Sequence, residues 1–235
     1  VPVSTEFPKG LRELTEKFGV ILIFDEVVTG FRVSRGGVQG ATGVTPDLTT
    51  LAKILAGGSP GGAVVGRADL FAPLDFEQSA AQGVEKIYHP GTYNANPISA
   101  ATGRAALSII ANTDACEQAS NQATKLRERL TQVLLESDVP WGVYGVASVV
   151  HLFMNPKGRE IDPSNFDPFT CEPDELRQKP SPAAEQLRLA MLVNGVDCGG
   201  WPIGVMSIAH DDSIVDRAAE AFRESLTMLK REGSI

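Results

Sequence analysis

The sequence predicts an α/β protein with a mainly parallel sheet and helices, followed by a smaller α+β domain. A helical pattern over Glu6–Phe18 leads directly into an apolar run at 20–24, the order of elements expected of an α/β unit. That run is continuous rather than alternating, which is typical of a strand buried on both faces of a parallel sheet. The pattern changes character near residue 116, so we predict domains over 1–115 and 116–235.

The first domain is predicted to contain two helices and three strands. Leu11, Leu14 and Phe18 recur at helical spacing, and Gly19 follows where a helix C-cap is expected. The alanine-rich run at 97–112 has the small-residue faces of a tightly packed helix. In chain order, the predicted strands are 20–24, which ends at Asp25-Glu26, 48–51, which is followed by Lys53 and the glycine-rich stretch 57–62, and 63–66.

The second domain is predicted to be mainly helical. Helices are expected over 119–137, 183–194 and 213–230, a strand over 148–154, and a loop rich in Pro, Asp and Asn over 155–182. Asp211, Asp212 or Ser213 is expected to cap the last helix, because short polar side chains satisfy the first free N–H groups of a helix.

Composition and charge favour a soluble globular protein with small-molecule or protein partners. The 235 residues are 43% hydrophobic and 21% charged, and the formal net charge is −8 with no basic block. This excludes the electrostatic pattern expected for binding nucleic acid or an anionic membrane. We expect neither a signal peptide nor a membrane span, because the chain opens Val-Pro-Val-Ser and its apolar runs are short.

The cysteines indicate a reduced cytoplasmic setting. Cys116, Cys171 and Cys198 have no metal-ligand spacing, and an odd number cannot form a complete disulfide framework. No metal site is therefore predicted.

Asp25 and Lys53 are the residues that point to chemistry. A carboxylate that ends an apolar strand needs a partner, and ligands of open α/β sheets gather at the carboxyl ends of strands. Lys53 follows a strand among Leu51, Ala52 and Ile54, surroundings that favour the neutral amine needed for imine formation. The alternatives are that Asp25 or Glu26 caps a turn or pairs with Arg32, that Lys53 is solvated, and that the glycines form ordinary turns.

Three motifs in this order resemble a known family. They are Asp-Glu-Val-Val-Thr-Gly-Phe-Arg (25–32), Thr-Pro-Asp-Leu-Thr-Thr-Leu-Ala-Lys (45–53) and Gly-Thr-Tyr-Asn-Ala-Asn-Pro (91–97). With them the sequence resembles the C-terminal half of class III aminotransferases, most closely the glutamate-1-semialdehyde 2,1-aminomutase branch. The resemblance implies part of the fold type I large domain plus the small C-terminal domain, with pyridoxal 5'-phosphate as cofactor.

The resemblance also implies roles for five residues. Lys53 would be the catalytic residue that forms a Schiff base with the cofactor and later transfers a proton, and Asp25 would pair with the pyridine nitrogen. Val27 would pack against one face of the ring. Gly91 and Thr92 would cross a dimer interface, with Thr92 bonding the phosphate of the neighbouring subunit, so a homodimer with shared sites is implied. The alternative for Thr92 is the N-cap of the helix at 97–112.

The chain departs from the family in two ways. It is about half as long as family members, so we expect the N-terminal half to be supplied in cis or in trans and the chain alone to be inactive. Pro202 stands where the aminomutase branch has a glutamate, which favours an aminotransferase acting on a small-molecule donor and acceptor. The alternatives are an aminomutase and a non-catalytic truncated remnant.

Other polar residues are weaker candidates. His89 is predicted to lie in a turn, His151 in the second sheet and His210 before the last helix, so they form no metal trio. Arg32 and Arg67 have the chemistry to bind a carboxylate, but ion pairing within the fold explains them equally well.

Overall fold

The computed structural model describes residues 1–177, 181–199 and 204–235, which form two compact units. We call Ser4–Asp114 the sheet unit, and Val1–Val3 with Ala115–Ile235 the helical unit. Across the described ranges, no helix is both long enough and apolar enough to span a membrane.

The sheet unit contains a three-stranded mixed sheet with helices. The strands are β1 (Ile23–Asp25), β2 (Leu48–Ala52) and β3 (Gly62–Gly66), and the helices are α1 (Glu6–Phe18), α2 (Gly37–Thr42), α3 (Phe76–Gln82) and α4 (Pro97–Asn112). The strands lie in the order β1-β2-β3, with β1 parallel and β3 antiparallel to β2. The prediction of a mainly parallel sheet therefore holds here for the first pairing and not for the second.

The prediction of a strand buried on both faces over 20–24 is wrong in the described structure. Strand β1 has only three residues, and Ile23 within it is 53% exposed. Before the strand, Val20 is 55% exposed and Ile21 is 49% exposed. Leu22 is buried. The reason is that β1 is an edge strand, and the described residues supply neither a strand on its outer side nor a complete layer over its faces.

The helices α1 and α4 match their predicted bounds. Gly19 ends α1 in the left-handed conformation, with φ 63°, and its N–H donates to Glu16 O. Asn96 begins α4, and its side chain accepts hydrogen bonds from the N–H groups of Ile98 and Ser99. The alternative that Thr92 is the N-cap of this helix is therefore wrong.

Among the described residues, the helical unit contains three long helices, one short helix and a two-stranded antiparallel sheet. The helices are α5 (Ala115–Glu136), α6 (Pro173–Leu176), α7 (Pro182–Val193) and α8 (Asp212–Arg231), and the strands are β4 (Gly142–Tyr144) and β5 (His151–Phe153). The core lies between α5, α7, α8 and β5; its most deeply buried side chains include Leu130, Leu134, Leu152, Leu187, Phe222 and Leu226. Of the three proposed caps for α8, it is Asp211 that accepts from Ile214 N.

Two expectations for the helical unit need correction. The strand expected over 148–154 is shortened to β5, and its partner β4 was not predicted. The expected loop over 155–182 contains α6 and short 3-10 segments at Pro163–Asn165 and Pro168–Thr170. Each 3-10 segment starts with a proline that follows a capping aspartate, and such local capping forms a turn without any apolar periodicity.

Candidate active site

Asp25 and Lys53 lie at the same edge of the sheet. Asp25 is the last residue of β1, and Lys53 directly follows Ala52, the last residue of β2. Because β1 and β2 are parallel, their carboxyl ends meet at one edge, which we call the carboxyl edge. Asp25 is opposite Thr50, so Lys53 is three residues further on, about 10 Å along the strand direction at the usual rise per residue.

The Asp25 carboxylate is exposed and held from one side. Its Oδ1 atom accepts a hydrogen bond from the Thr50 hydroxyl at 3.1 Å and another from Val27 N at 3.1 Å. The Val27 bond is the turn-capping contact that was one alternative for Asp25, while Arg32 Nε donates to Val28 O. Both bonds reach Oδ1, and among the described residues none donates a hydrogen bond to the second carboxylate oxygen of Asp25.

The adjacent carboxylate, Glu26, is buried and serves the fold. It is 2% exposed and accepts hydrogen bonds from Val38 N at 2.7 Å and the Thr29 hydroxyl at 3.1 Å. Gln39 also donates to it from its side chain, at 3.3 Å. These bonds join the loop after β1 to the start of α2. Of the two neighbouring carboxylates, only Asp25 is therefore accessible to a ligand.

Lys53 occupies an unusual backbone conformation. It is the first residue of a 3-10 segment, Lys53–Ala56, and its φ is +50°. A left-handed non-glycine residue costs about 1–3 kcal/mol and persists only where its surroundings enforce it. The side chain is exposed, which corrects the expectation of apolar surroundings, and its amine forms no hydrogen bond or ion pair with the described residues.

The glycine-rich stretch after Lys53 packs against α4. Gly57 has φ +60°, and a Cβ there would lie 2.2 Å from the Thr102 carbonyl oxygen. The Ser99 hydroxyl donates to Pro60 O at 2.6 Å. This stretch is thus a turn fixed by α4, as the ordinary-turn alternative held. The periodicity of the sequence does not predict these contacts between the glycine-rich stretch and α4.

The remaining predicted residues are divided between two places. Val27 is half-buried and lies two residues beyond Asp25 at the carboxyl edge. Gly91 and Thr92 are both exposed in the turn before α4, where Asn94 N donates to Gly91 O at 3.0 Å. The structure therefore brings Asp25, Val27 and Lys53 to one edge. It shows no described hydrogen bond from Gly91 or Thr92 to that edge.

The histidines do not form a site. His89 Nδ1 contacts the Asn94 amide at 3.3 Å, His151 lies in β5, and His210 Nδ1 accepts from Ser207 N at 2.9 Å before α8. Within residues 1–177, 181–199 and 204–235, no group of three His, Cys, Asp or Glu side chains is placed to hold a metal ion.

A cluster of charged residues lies at the other end of the strands, opposite the carboxyl edge. Asp47, just before β2, accepts from Leu22 N at 2.8 Å and pairs with Arg67 at 2.8 Å and Arg12 at 3.0 Å. The Leu22 N–H, followed by the two guanidinium groups, holds the pKa of the buried Asp47 carboxylate well below its usual range. Arg67 also pairs with Asp69 at 2.7 Å, so Arg67 is engaged in the fold.

Replacing Asp47 with asparagine is expected to lower stability in a pH-dependent way. Because folding depresses the pKa of Asp47, its charge stabilises the fold above the unfolded value near 3.8, and that stabilisation is lost as the pH falls below it. Urea midpoints should therefore differ most at about pH 6 and converge toward about pH 2. A constant difference across that range would contradict the assignment.

Known proteins resemble nearly the whole of this chain. A family model described as "Aminotransferase class-III" matches residues 1–155. A curated glutamate-1-semialdehyde 2,1-aminomutase of Bordetella avium (strain 197N) is 35% identical over 229 residues, which are 95% of this chain and 49% of that protein.

Solved structures of transaminases and aminomutases are similar to this chain in fold. An omega-transaminase from Sphaerobacter thermophilus superposes with a TM-score of 0.77 and 29% identity over 97% of this chain and 48% of its own. A glutamate-1-semialdehyde-aminomutase from Pseudomonas aeruginosa PAO1 gives a TM-score of 0.75 and 26% identity over 97% and 49%. The chain spans about half the length of the relatives it matches.

Proposed function

Because the chain belongs to the class-III aminotransferase family, we propose that it forms part of an enzyme that transfers amino groups with pyridoxal 5'-phosphate as cofactor. The observation that carries the proposal is the position of Asp25 and Lys53 at the ends of two neighbouring parallel strands. When bound, the cofactor supplies a ring that accepts negative charge from the substrate carbon. The sheet unit would then be the C-terminal part of the cofactor-binding domain, and the helical unit the small domain.

Lys53 has the features required of the nucleophile. Its amine is exposed and forms no hydrogen bond or ion pair with the described residues, so no carboxylate has to be displaced before it reacts with an aldehyde. We propose that its amine would bond covalently to the cofactor aldehyde with loss of water, would be freed when the substrate amine replaces it, and would then act as the base that moves the proton at the substrate carbon. A positioned base of this kind contributes a rate factor of about 10²–10⁴.

Asp25 has the features required of the partner for a ring nitrogen. Thr50 and Val27 fix one carboxylate oxygen, and the exposed side of the group is left to receive a charged N–H. A neighbouring carboxylate favours the protonated form of such a nitrogen. Val27 is close enough in the chain to supply an aliphatic contact for one face of the same ring.

Gly91 and Thr92 support a homodimer with shared sites. Both residues are exposed, and within the described parts of the chain the Thr92 hydroxyl has no hydrogen-bond partner. We propose that this turn reaches the cofactor phosphate of a second subunit, where Thr92 donates its O–H and Gly91 allows close approach of the backbone.

The active enzyme is proposed to need residues beyond this chain, in cis or in trans. Val20, Ile21, Ile23, Val64 and Val65 leave the strands and their flanks about half exposed, at 46–55%. Apolar surface of this kind is usually covered by other protein. We therefore expect the isolated 235-residue chain to be inactive, and steady turnover by it with common amino donors would contradict this. The complete enzyme is proposed to act in the reduced cytoplasm.

An intramolecular aminomutase is the second candidate function. The curated relatives at 33–36% identity over more than nine-tenths of this chain carry that name. Pro202, which favours the aminotransferase in the sequence, lies outside the described residues. Sustained turnover that requires a separate keto acid or aldehyde acceptor supports the aminotransferase, whereas isomerisation of one amino-aldehyde without an acceptor supports the aminomutase.

Borohydride reduction tests the proposed cofactor and nucleophile together. Purified, dialysed protein is scanned for visible absorbance before and after reduction, and the reduced adduct is located by peptide mapping. We expect the adduct on Lys53 in the complete polypeptide. Protein that never takes up the cofactor, alone or with the rest of the polypeptide, would favour the truncated remnant instead.

A further inference from the structure

The backbone conformation of Lys53 has to be maintained by contacts outside the short segment that this residue begins. Its φ of +50° is unfavourable for a residue with a side chain, and the 3-10 segment it begins is only four residues long. Such a segment is too short to hold itself in place. The helix that packs against it is α4.

The contact between α4 and this turn is close and polar. A Cβ at Gly103 would lie 2.6 Å from Leu55 O, so the helix and the turn approach each other at backbone distance. At the same place the Thr102 hydroxyl has Ala56 O as its nearest acceptor, at 2.8 Å, and lies 3.0 Å from the Ser59 hydroxyl; the Ile98 and Ser99 carbonyls of its own helix are farther away, at 3.1 and 3.2 Å.

The Thr102 hydroxyl therefore joins Ala56 and Ser59, the two ends of the turn at 56–59, to α4. Ala56 ends the 3-10 segment that Lys53 begins, and its carbonyl oxygen also accepts from Ser59 N at 3.2 Å. Movement of Ala56 away from α4 would be transmitted over three peptide units to Lys53. Because the left-handed region is narrow, a small relaxation there redirects the Lys53 side chain.

We propose that Thr102 is a positioning residue that holds Lys53 in its left-handed conformation and so directs its amine. The inference rests on the proposed function, because it assigns Thr102 to the covalent attachment made by Lys53. Thr102 itself is placed to touch the turn and not the reacting atoms. It lies in an alanine-rich helix whose sequence shows no chemical motif.

Thr102→Val tests the proposal, with Thr102→Ser as the variant that keeps the hydroxyl. Thr15→Val is the matched control, since the half-buried Thr15, among the residues that the structure describes, bonds only to two carbonyls of its own helix, Leu11 O and Arg12 O. The complete polypeptide is used throughout. The first readout is amide exchange of the segment 54–59, which needs no cofactor and reports the Gly57 and Ser59 N–H bonds of the turn.

We expect Thr102→Val to exchange about five- to tenfold faster in this segment, the size of effect that loss of one hydrogen bond produces. Exchange in α5 should be unchanged. With pyridoxal phosphate added, covalent attachment to Lys53 should slow on the order of tenfold, as expected for a displaced reacting group. The pH midpoint of the visible absorbance should also shift, and Thr102→Ser should restore all three values.

Three results would overturn the inference. If Thr102→Val matched wild type in the amide exchange of residues 54–59 and in the rate of attachment to Lys53, the Thr102 hydroxyl would not position Lys53. An equal rise of exchange in α5 would show a general loss of stability. Wild-type protein that forms no adduct on Lys53 would refute the proposed function, a result distinct from both. If Thr102→Val does not fold, Ser59→Ala removes a turn-side partner of Thr102 and should give the same changes with smaller size.

Discussion

Replacing Lys53 with alanine in the complete polypeptide should lower kcat by about 10³–10⁴ or more and abolish covalent attachment of the cofactor. The loss follows because, in the proposed function, one amine serves both as the nucleophile and as the base at the substrate carbon. Stability should change little or rise slightly, since Lys53 is exposed and alanine removes no described contact. Steady-state turnover, borohydride mapping and urea unfolding measure the three effects.

Lys86→Ala provides the matched control. Lys86 is an exposed lysine of the same sheet unit, and the change removes the same charge and the same side-chain atoms. We expect it to keep the adduct on Lys53 and wild-type turnover. If Lys53→Ala retained wild-type kcat, or if the adduct mapped to Lys86, the proposed nucleophile would be wrong.

Replacing Asp25 with asparagine should lower kcat by about 10²–10³, the range observed when one preorganised group that stabilises transition-state charge is removed. Asparagine has nearly the same shape, and its oxygen still accepts from Thr50 and Val27, so the fold should be retained. The negative charge is lost, and the ring nitrogen would lose its protonated form. The visible spectrum of the bound cofactor should therefore change as well as kcat.

The same substitution at Asp75 is the control. Asp75 caps α3 by accepting from Gln78 N, and asparagine caps helices about as well as aspartate. We expect wild-type kinetics from Asp75→Asn. Equal kinetics and an unchanged spectrum for Asp25→Asn would remove Asp25 from the site and leave it the role of a turn-capping residue.

Elements with a clear local start or stop were predicted well from the sequence. Gly19 ends α1, and Asp211 begins α8, and in each case one residue provides the capping contact. Strand β4 was missed because a three-residue strand is too short to show a period. The predicted burial of β1 was wrong for a different reason. An apolar run indicates that burial of its side chains is favourable, but it does not indicate which other residues cover them.

From the sequence, Asp25, Val27 and Lys53 could be named as candidates, while their roles remain a proposal and the contacts that hold them could not be predicted. Chain order and strand ends place Asp25 and Lys53 at one edge, and the family resemblance carried by the three motifs is confirmed by the family match. The contacts from Thr50 and Thr102 depend on strand register and on helix packing. Both residues are ordinary threonines in the sequence, so only three-dimensional structure distinguishes them.

The placement of the Asp47 cluster at the edge opposite Lys53 has a consequence for protein engineering. Charge interactions whose stabilising effect is lost in acid and the side chains proposed to bind the cofactor lie at opposite ends of the same strands. Variants selected for acid tolerance should therefore accumulate around Arg12, Asp47 and Arg67, and variants selected for altered reactivity near Asp25 and Lys53. Because the two groups share no direct partner, combining them should give nearly additive changes.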